Sequence, residues 1–458
     1  MKINTVIDYI ERYVSSIFYP LTLAVLSFLI WILPGIGSVI FAVVFSLLSF
    51  LPLFTKCGKA YTALFLFPII CQSEDISLTS ISPHIILIGC CIFVSLVLFL
   101  IIHRMEFIRG DMLIPLALLL LSFFISYFYA SIINQAFNKS SLLFLSIMTV
   151  QLLLYSLLCT ILGKGDSFPY LCKSIVLFSI TISMEIFTFF FRNGFEIAPK
   201  DFSLGWSYTV QSASSLLCLT LPFYGILIYS KKWYWIIGEL FILASIFLLS
   251  TDSALLSLLF AFIPLILLSF RSYGKYYSYI SLIMIFGIGT VLVSLLITNK
   301  FFSRRLLDAL TSLNLFHEPE GPRKDQFEFA LSCFKSNPYV GTSISSFVTD
   351  SHTLNFAGNT ILSVLAMSGC FGLIFYLFFE IKLYVLSLKK KTPDKWIFLV
   401  FLLLFEMIGQ VDNTLFNIGI LQLLLVSLST YEMTNRPEDV VVHDEFYRHF
   451  RKKPDSLT

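Results

Sequence analysis

The chain has 458 residues, 57% of them hydrophobic and only 13% charged, with a formal net charge of +3. That balance, with a mean hydropathy of +0.87, lies far from soluble averages and excludes a string of ordinary water-soluble domains. The small net charge and the lack of a long basic block exclude a nucleic-acid-binding stripe, so no nucleic acid is expected as a partner.

Apolar stretches of membrane length recur from residue 17 to residue 431, the pattern of an all-α polytopic membrane protein. The opening "MKINTVIDYIERYVSSIF" carries acidic residues and no cleavage-like site ahead of its apolar run, so it reads as a retained first span. A span takes about 20 apolar residues to cross a core of about 30 Å. By that measure spans 1 to 7 are predicted near 17–33, 37–55, 60–72, 84–103, 112–131, 140–163 and 169–191. The third is short and carries Pro68. Spans 8 to 11 follow near 208–229, 233–250, 252–270 and 276–297, all within a first region of 1–297. A long loop occupies 298–358, spans 12 to 14 lie near 359–387, 396–411 and 414–431, and 432–458 is a polar tail. The expected total is about 14 transmembrane helices.

Lys and Arg set the orientation. With a cytoplasmic N-terminus, the cytoplasmic links hold Lys56 and Lys59, Arg104 and Arg109, Lys164, Lys231 and Lys232, Arg271 and Lys275, and Lys389–Lys391. The basic tail, with Arg448, Arg451, Lys452 and Lys453, falls on the same side, so both termini are placed in the cytoplasm. The opposite short links, such as "PGIG" and "NQAFN", carry few positive charges.

The 298–358 loop is then external, and a loop of that length without low apolar content points to a function. Within it, "RKDQFEFALSCF" puts Arg323, Phe327, Ala330 and Phe334 on one helical face, opened by Pro322. Lys324 falls off that face and is expected to pair with Glu328 at i+4. Pro338 and Gly341 end the helix.

The nine cysteines sit mostly in or beside apolar runs, which argues against a disulfide framework, and there is no CxxC pair for a metal. No phosphate-binding loop, HExxH zinc site, nucleophile elbow or dinucleotide fingerprint occurs, so neither a metal nor another cofactor is expected. The external segments do hold Arg192, Lys200, Arg304, Arg305, Arg323, Lys324 and Lys335. These cations either meet water and lipid phosphates, or two or three converge on a diphosphate, which guanidinium forks bind bidentately.

His352 is either an exposed loop histidine or a general base for a sugar hydroxyl. Asn359 caps the span that starts at Thr360, and the same helix N-terminus offers N–H groups to an anion. Gly369 and Gly372 are expected to permit close helix packing. Glu185, Glu239, Glu380 and Glu406 lie in or near apolar runs, with Glu380 expected near the interface, and Asp252 falls on the external side.

Three stretches resemble the O-antigen polymerase and O-antigen ligase superfamily of bacterial inner-membrane glycosyltransferases, over roughly residues 192 to 387. One is "RNGFEIAPKDFSLGWSYTVQSASSLLCLTLPFYGILIY", an arginine-led external loop with a following span. The second is "FLLSTDSALLSLLFAFIPL", similar to the family's serine-containing link and small-residue span. The third, "GPRKDQFEFALSCFKSNPYVGTSISSFVTDSHTLNFAGNTILSVLAMSGCFGLIFYLFFE", looks like the family's arginine-led helix, its Pro and Gly, a His or Asn, and a Gly-x-x-Gly span.

The resemblance implies a metal-independent glycosyltransferase of the periplasmic face, with an undecaprenyl-diphosphate-linked glycan as donor. It implies catalytic roles for Arg323 and His352, and substrate contacts for Arg192, Arg304, Arg305, Asn359 and Asp252. It also implies a polysaccharide chain-length regulator as a partner in the same membrane. Two departures stand out. Asp252 and Ser253 replace the arginine that often follows serine in the family, and Gly358 rather than a histidine precedes Asn359. Polymerisation of repeat units fits the span count and basic tail best. Ligation of glycan to lipid A-core is the alternative within the family, and a lipid-linked oligosaccharide flippase is the alternative outside it.

Overall fold

The computed structural model describes residues 3–33, 35–55, 57–71, 82–133, 138–162, 167–193, 204, 210–225, 235–249, 258, 259, 261, 322–347, 358–389 and 394–434. Among them all regular structure is helical, and no strand occurs. The chain opens with α1 (Ile3–Ser15) and α2 (Phe18–Ile32), which meet at a bend of 68°. On α1, Ile7, Ile10 and Val14 turn inward at helical spacing while Asp8, Glu11 and Arg12 stay exposed. The bend follows from local chemistry: the Ser16 hydroxyl donates to the Tyr13 carbonyl at 2.7 Å and accepts from the Phe18 N–H at 3.2 Å. The expected first span is thus preceded by a separate amphipathic helix.

Next come α3 (Ile36–Leu48), prolonged by a 3-10 turn at Leu51–Phe54, and α4 (Ala60–Leu66), prolonged by another at Phe67–Cys71. Then follow α5 (Pro83–Ile102), α6 (Leu113–Ile133), α7 (Lys139–Leu162), α8 (Phe168–Asn193), α9 (Val210–Thr220) and α10 (Trp235–Leu249). The later elements are α11 (Pro322–Ser336), α12 (Thr360–Lys389), α13 (Asp394–Gly409) and α14 (Ile418–Met433). Among the described residues, six stretches are long and apolar enough to cross a membrane: Ile36–Phe54, Pro83–Ile102, Leu113–Ile133, Lys139–Leu162, Phe168–Arg192 and Thr360–Lys389. The bent pair α1–α2 makes a seventh if counted as one span. The expected spans near 252–270 and 276–297 lie essentially outside the described residues.

The stretch expected to span at 60–72 does not have the length to do so. Every residue of α4 is buried against α2, α8 and α14, and Pro68 falls in the 3-10 turn that follows, where its missing N–H costs least. At the periphery, α3 and α5 expose Ile36, Val39, Ile40, Phe93, Ile101 and Ile102, an apolar exterior suited to lipid. α14 is enclosed along nearly its whole length by α7, α4 and α8. Its C-terminal end carries a buried carboxylate, Glu432, that accepts from the Tyr155 hydroxyl at 2.5 Å and from the Asp111 N–H just ahead of α6.

α12 is not a continuous helix. Gly369 takes φ 63° and ψ −162°, so the ladder is broken there. The segment after α11 fills the break. Thr342 and Ser343 N–H groups donate to the Ala366 and Met367 carbonyls at 2.9 Å each, while Cys370 and Phe371 N–H groups donate to the Pro338 and Tyr339 carbonyls at 2.8 and 3.2 Å. The Ser126 hydroxyl of α6 also donates to the Met367 carbonyl at 2.5 Å. Backbone lies on backbone here: a Cβ on Gly369 would stand 2.4 Å from the Tyr339 carbonyl carbon, and one on Gly341 would stand 2.3 Å from that of Met367. Gly369 therefore breaks the helix rather than easing helix–helix packing as expected. Gly372 instead makes room for the Ser368 hydroxyl and faces Ser122 of α6.

Gly369→Ala and Gly341→Ala should each cost on the order of 3 kcal/mol or more, because φ is positive at both sites and the neighbour is backbone. Gly89→Ala, on an open helical surface, is the control and should be neutral or slightly stabilising. Thermal unfolding in detergent checks this, and equal melting temperatures for all three variants would count against the described break.

Candidate functional site

The site builds from α11 and the start of α12. Pro322 opens α11, since its missing N–H is not needed in a first turn. The helix packs on α12 through buried Ala330 and Cys333, with Phe327 and Phe334 half-buried beside them. Phe327, Ala330 and Phe334 of the expected face thus lie with Cys333 on the inward side. Phe329 meets Phe347 edge-on at 5.4 Å, tying the helix to the 3-10 turn Ile344–Phe347 that closes the following segment. Lys324 pairs with Glu328 at 3.8 Å on the outer surface, the expected i,i+4 contact. It is solvent-exposed, so it adds little stability.

The N-terminus of α12 sits in a polar corner formed with the α13–α14 turn. Asn359 is buried, and its Oδ1 accepts from the Leu362 N–H at 2.9 Å, as expected of a cap. Its Nδ2 donates to the Gln410 carbonyl and to Gln410 Oε1 at 3.3 and 3.2 Å. Thr360 Oγ1 donates to the Asp412 carbonyl at 3.3 Å and accepts from the Thr414 N–H at 3.2 Å. Asn413, in the amide orientation that satisfies its neighbours, donates to Ser363 Oγ at 2.8 Å and to the Asn359 carbonyl at 3.2 Å, and accepts from the Gly358 N–H at 3.1 Å. Asn417 caps α14 by accepting from the Ile420 N–H at 3.1 Å. Two helix N-termini thus open onto one buried polar layer, a region of positive partial charge on a stiff base.

Gln326, one turn into α11, lies beside this corner: a Cβ on Gly358 would stand 3.7 Å from its Oε1. The first turn of α11, where Arg323 stands, is therefore brought next to the N-terminus of α12, where Asn359 stands. Arg192 is exposed in the last turn of α8. Arg304, Arg305, His352 and Asp252 lie outside the described residues. Among the described residues, no three His, Cys, Asp or Glu side chains converge as a metal site. Sequence reasoning overlooked Gln410, Asp412, Asn413 and Thr414, although "GQVDNTLFN" between two apolar runs was a visible cluster of cap and turn residues.

Asn359→Ala should destabilise by about 1–2 kcal/mol through loss of the cap. Asn359→Asp should recover part of that, because it keeps the cap oxygen and adds charge at a helix N-terminus while losing the Gln410 contacts. Melting temperatures of the two variants test the ordering. Compared with known proteins, the chain matches no protein-family model and no curated sequence at a significant level.

Proposed function

We propose that the protein is a glycosyltransferase of the bacterial inner membrane that polymerises undecaprenyl-diphosphate-linked repeat units into a surface polysaccharide. Its termini are cytoplasmic in this proposal, and the 298–358 loop is periplasmic. The observation that carries it is the seating of an arginine-led amphipathic helix beside the polar N-terminus of a membrane-length helix. A lipid diphosphate held there would meet Arg323, with Arg192, Arg304, Arg305 and Asp252 as further contacts to the substrate. His352 would orient or deprotonate the attacking sugar hydroxyl. Diphosphate is a good leaving group, so the main task is to stabilise the charge that develops on it, which preorganised arginines accomplish without a metal. The internally committed amide of Asn359 gives it a supporting role: it fixes the rim rather than touching the sugar.

The broken α12 favours a second reading. Discontinuous helices near substrate sites are a feature of secondary transporters, and a flippase for the same lipid-linked glycan would use one. Ligation to lipid A-core is the remaining alternative. Loss of a polymerase leaves single repeat units on the lipid core, whereas loss of a flippase or a ligase leaves none.

Purified protein incubated with lipid-linked repeat units should yield a product ladder, and its persistence in a chelator would support a metal-free reaction. Arg323→Ala should lower the rate by about 10²–10³-fold, the effect of losing one preorganised contact to developing charge. Arg323→Lys should rescue in part, because a point charge cannot reproduce the bidentate fork. His352→Ala should be mild if the histidine only orients the acceptor and severe if it is the base. Lys324→Ala is the internal control. If Arg323→Ala polymerises as well as Lys324→Ala, the site is wrong; a reporter fused at residue 330 and found in the cytoplasm would overturn the orientation.

A further inference from the structure

Apart from the site at α11, one buried cluster has no account in the proposed reaction. Glu380, in the half of α12 that follows Gly369, is 8% exposed, and neither of its carboxyl oxygens has a hydrogen-bond partner of ordinary geometry. The carboxyl group facing it is Glu406, near the end of α13, whose Oε1 also lacks one. Tyr376, one turn before Glu380 and 2% exposed, directs its hydroxyl to Glu406 Oε2 at 3.5 Å. Glu380 was expected to reach the interface; it is instead enclosed.

The donor inventory does not close. Two carboxyl groups present four acceptor oxygens, and among the described residues the Tyr376 hydroxyl is bonded to one of them while the other three have no hydrogen-bond partner. Tyr384 is the other titratable neighbour. α6 and α9, which pack on α12 and α13, contain no Lys, Arg, His, Asp or Glu. The charged residues of α11, which also packs on α12, are Arg323, Lys324, Asp325, Glu328 and Lys335, and of these Lys324 pairs with Glu328. Lys382 stands two positions past Glu380, which on a helix turns it to another side. Two facing carboxylates without a cation would each be penalised by desolvation as well as by mutual repulsion. Glu432 shows the alternative within the same bundle, a buried carboxylate met by a tyrosine hydroxyl and a backbone N–H.

We propose that Glu380 and Glu406 form an intramembrane proton-binding site across the α12–α13 contact. One proton held between them supplies the missing donor, turning an acceptor–acceptor contact into an O–H···O bond and removing one charge. The site requires neither of the functional readings above and would stand if both failed.

The test is carboxyl modification of the full-length protein in its own membrane by dicyclohexylcarbodiimide, which reacts with protonated carboxyl groups in apolar surroundings, read residue by residue by peptide mass spectrometry. Glu380 or Glu406 should be modified at neutral pH. Modification should fall by about tenfold per pH unit once the pair begins to lose its proton. Glu432 should be modified far less. Glu380→Gln with Glu406→Gln should abolish the signal, and should these substitutions impair folding, the pH dependence of the unsubstituted protein decides alone. Absence of modification at both residues, or no dependence on pH, overturns the proposal. Suppression by sodium or potassium chloride at fixed pH also overturns it, because an alkali cation would then occupy the site.

Discussion

Everything near the candidate site depends on the rule that backbone N–H and C=O groups inside an apolar bundle must find partners. Breaking α12 at Gly369 frees the carbonyls of Ala366 and Met367 and the N–H groups of Cys370 and Phe371. Left unpaired in a lipid-like interior, each would cost several kcal/mol. The segment from Pro338 to Ser343 meets all four, and Ser126 of α6 adds a fifth bond to Met367. That segment is the direct continuation of α11, so the amphipathic helix cannot shift along α12 without exposing those groups. The position of Arg323 at the start of α11 is therefore set by backbone chemistry some distance away, at two glycines that allow the chains to touch.

Polar side chains inside the bundle obey the same accounting with different partners. At one end of α14, Asn417 and the Asn413–Ser363–Asn359 group satisfy helix N-termini; at the other, Glu432 takes up the Tyr155 hydroxyl and the Asp111 N–H. Elsewhere, buried Ser and Thr hydroxyls donate back to carbonyls of their own helices, as Ser27 does to Leu23 and Thr430 to Val426 at 2.8 Å each. Against that background Glu380 and Glu406 stand out chemically, because they bring acceptors to a place where donors are scarce.

What was legible in the sequence was local. Hydropathy gave the spans that became α5 to α8 and α12 almost residue for residue, because an apolar run of membrane length has few other uses. Pro322 marked the start of α11, Asn359 the cap of α12, and Lys324 with Glu328 an i,i+4 pair, each a signal contained within one turn. The features that escaped involve two distant segments. The φ of Gly369 depends on a loop ending at Ser343, and the contact of Glu380 depends on Glu406 in the next helix. Hydropathy also misjudged α4, since a short apolar run reads alike whether lipid or protein surrounds it. On α1, inward Ile7, Ile10 and Val14 at helical spacing were readable, but the charges between them obscured a helix lying outside the first span.

α12 joins these observations mechanically. Its first half, from Thr360 to Ser368, is held by side-chain hydrogen bonds to the α13–α14 corner. Its second half, from Cys370 to Lys389, meets α13 through the Glu380–Glu406 pair. A helix interrupted at one residue transmits axial force poorly, because the i→i−4 ladder that makes it stiff is missing there. The Pro338–Ser343 segment restores the connection, since its N–H groups bind the half before the break and its carbonyls bind the half after it. Both halves of α12 therefore meet α13, and both are bonded to the same short segment that ends α11. A change of charge at Glu380 would act on the second half directly and on the first half through those four bonds and through α13. The base of the candidate site is thus linked to the carboxyl pair by two routes, through the loop and through the side-chain bonds of Asn359 and Thr360 to the turn that follows α13.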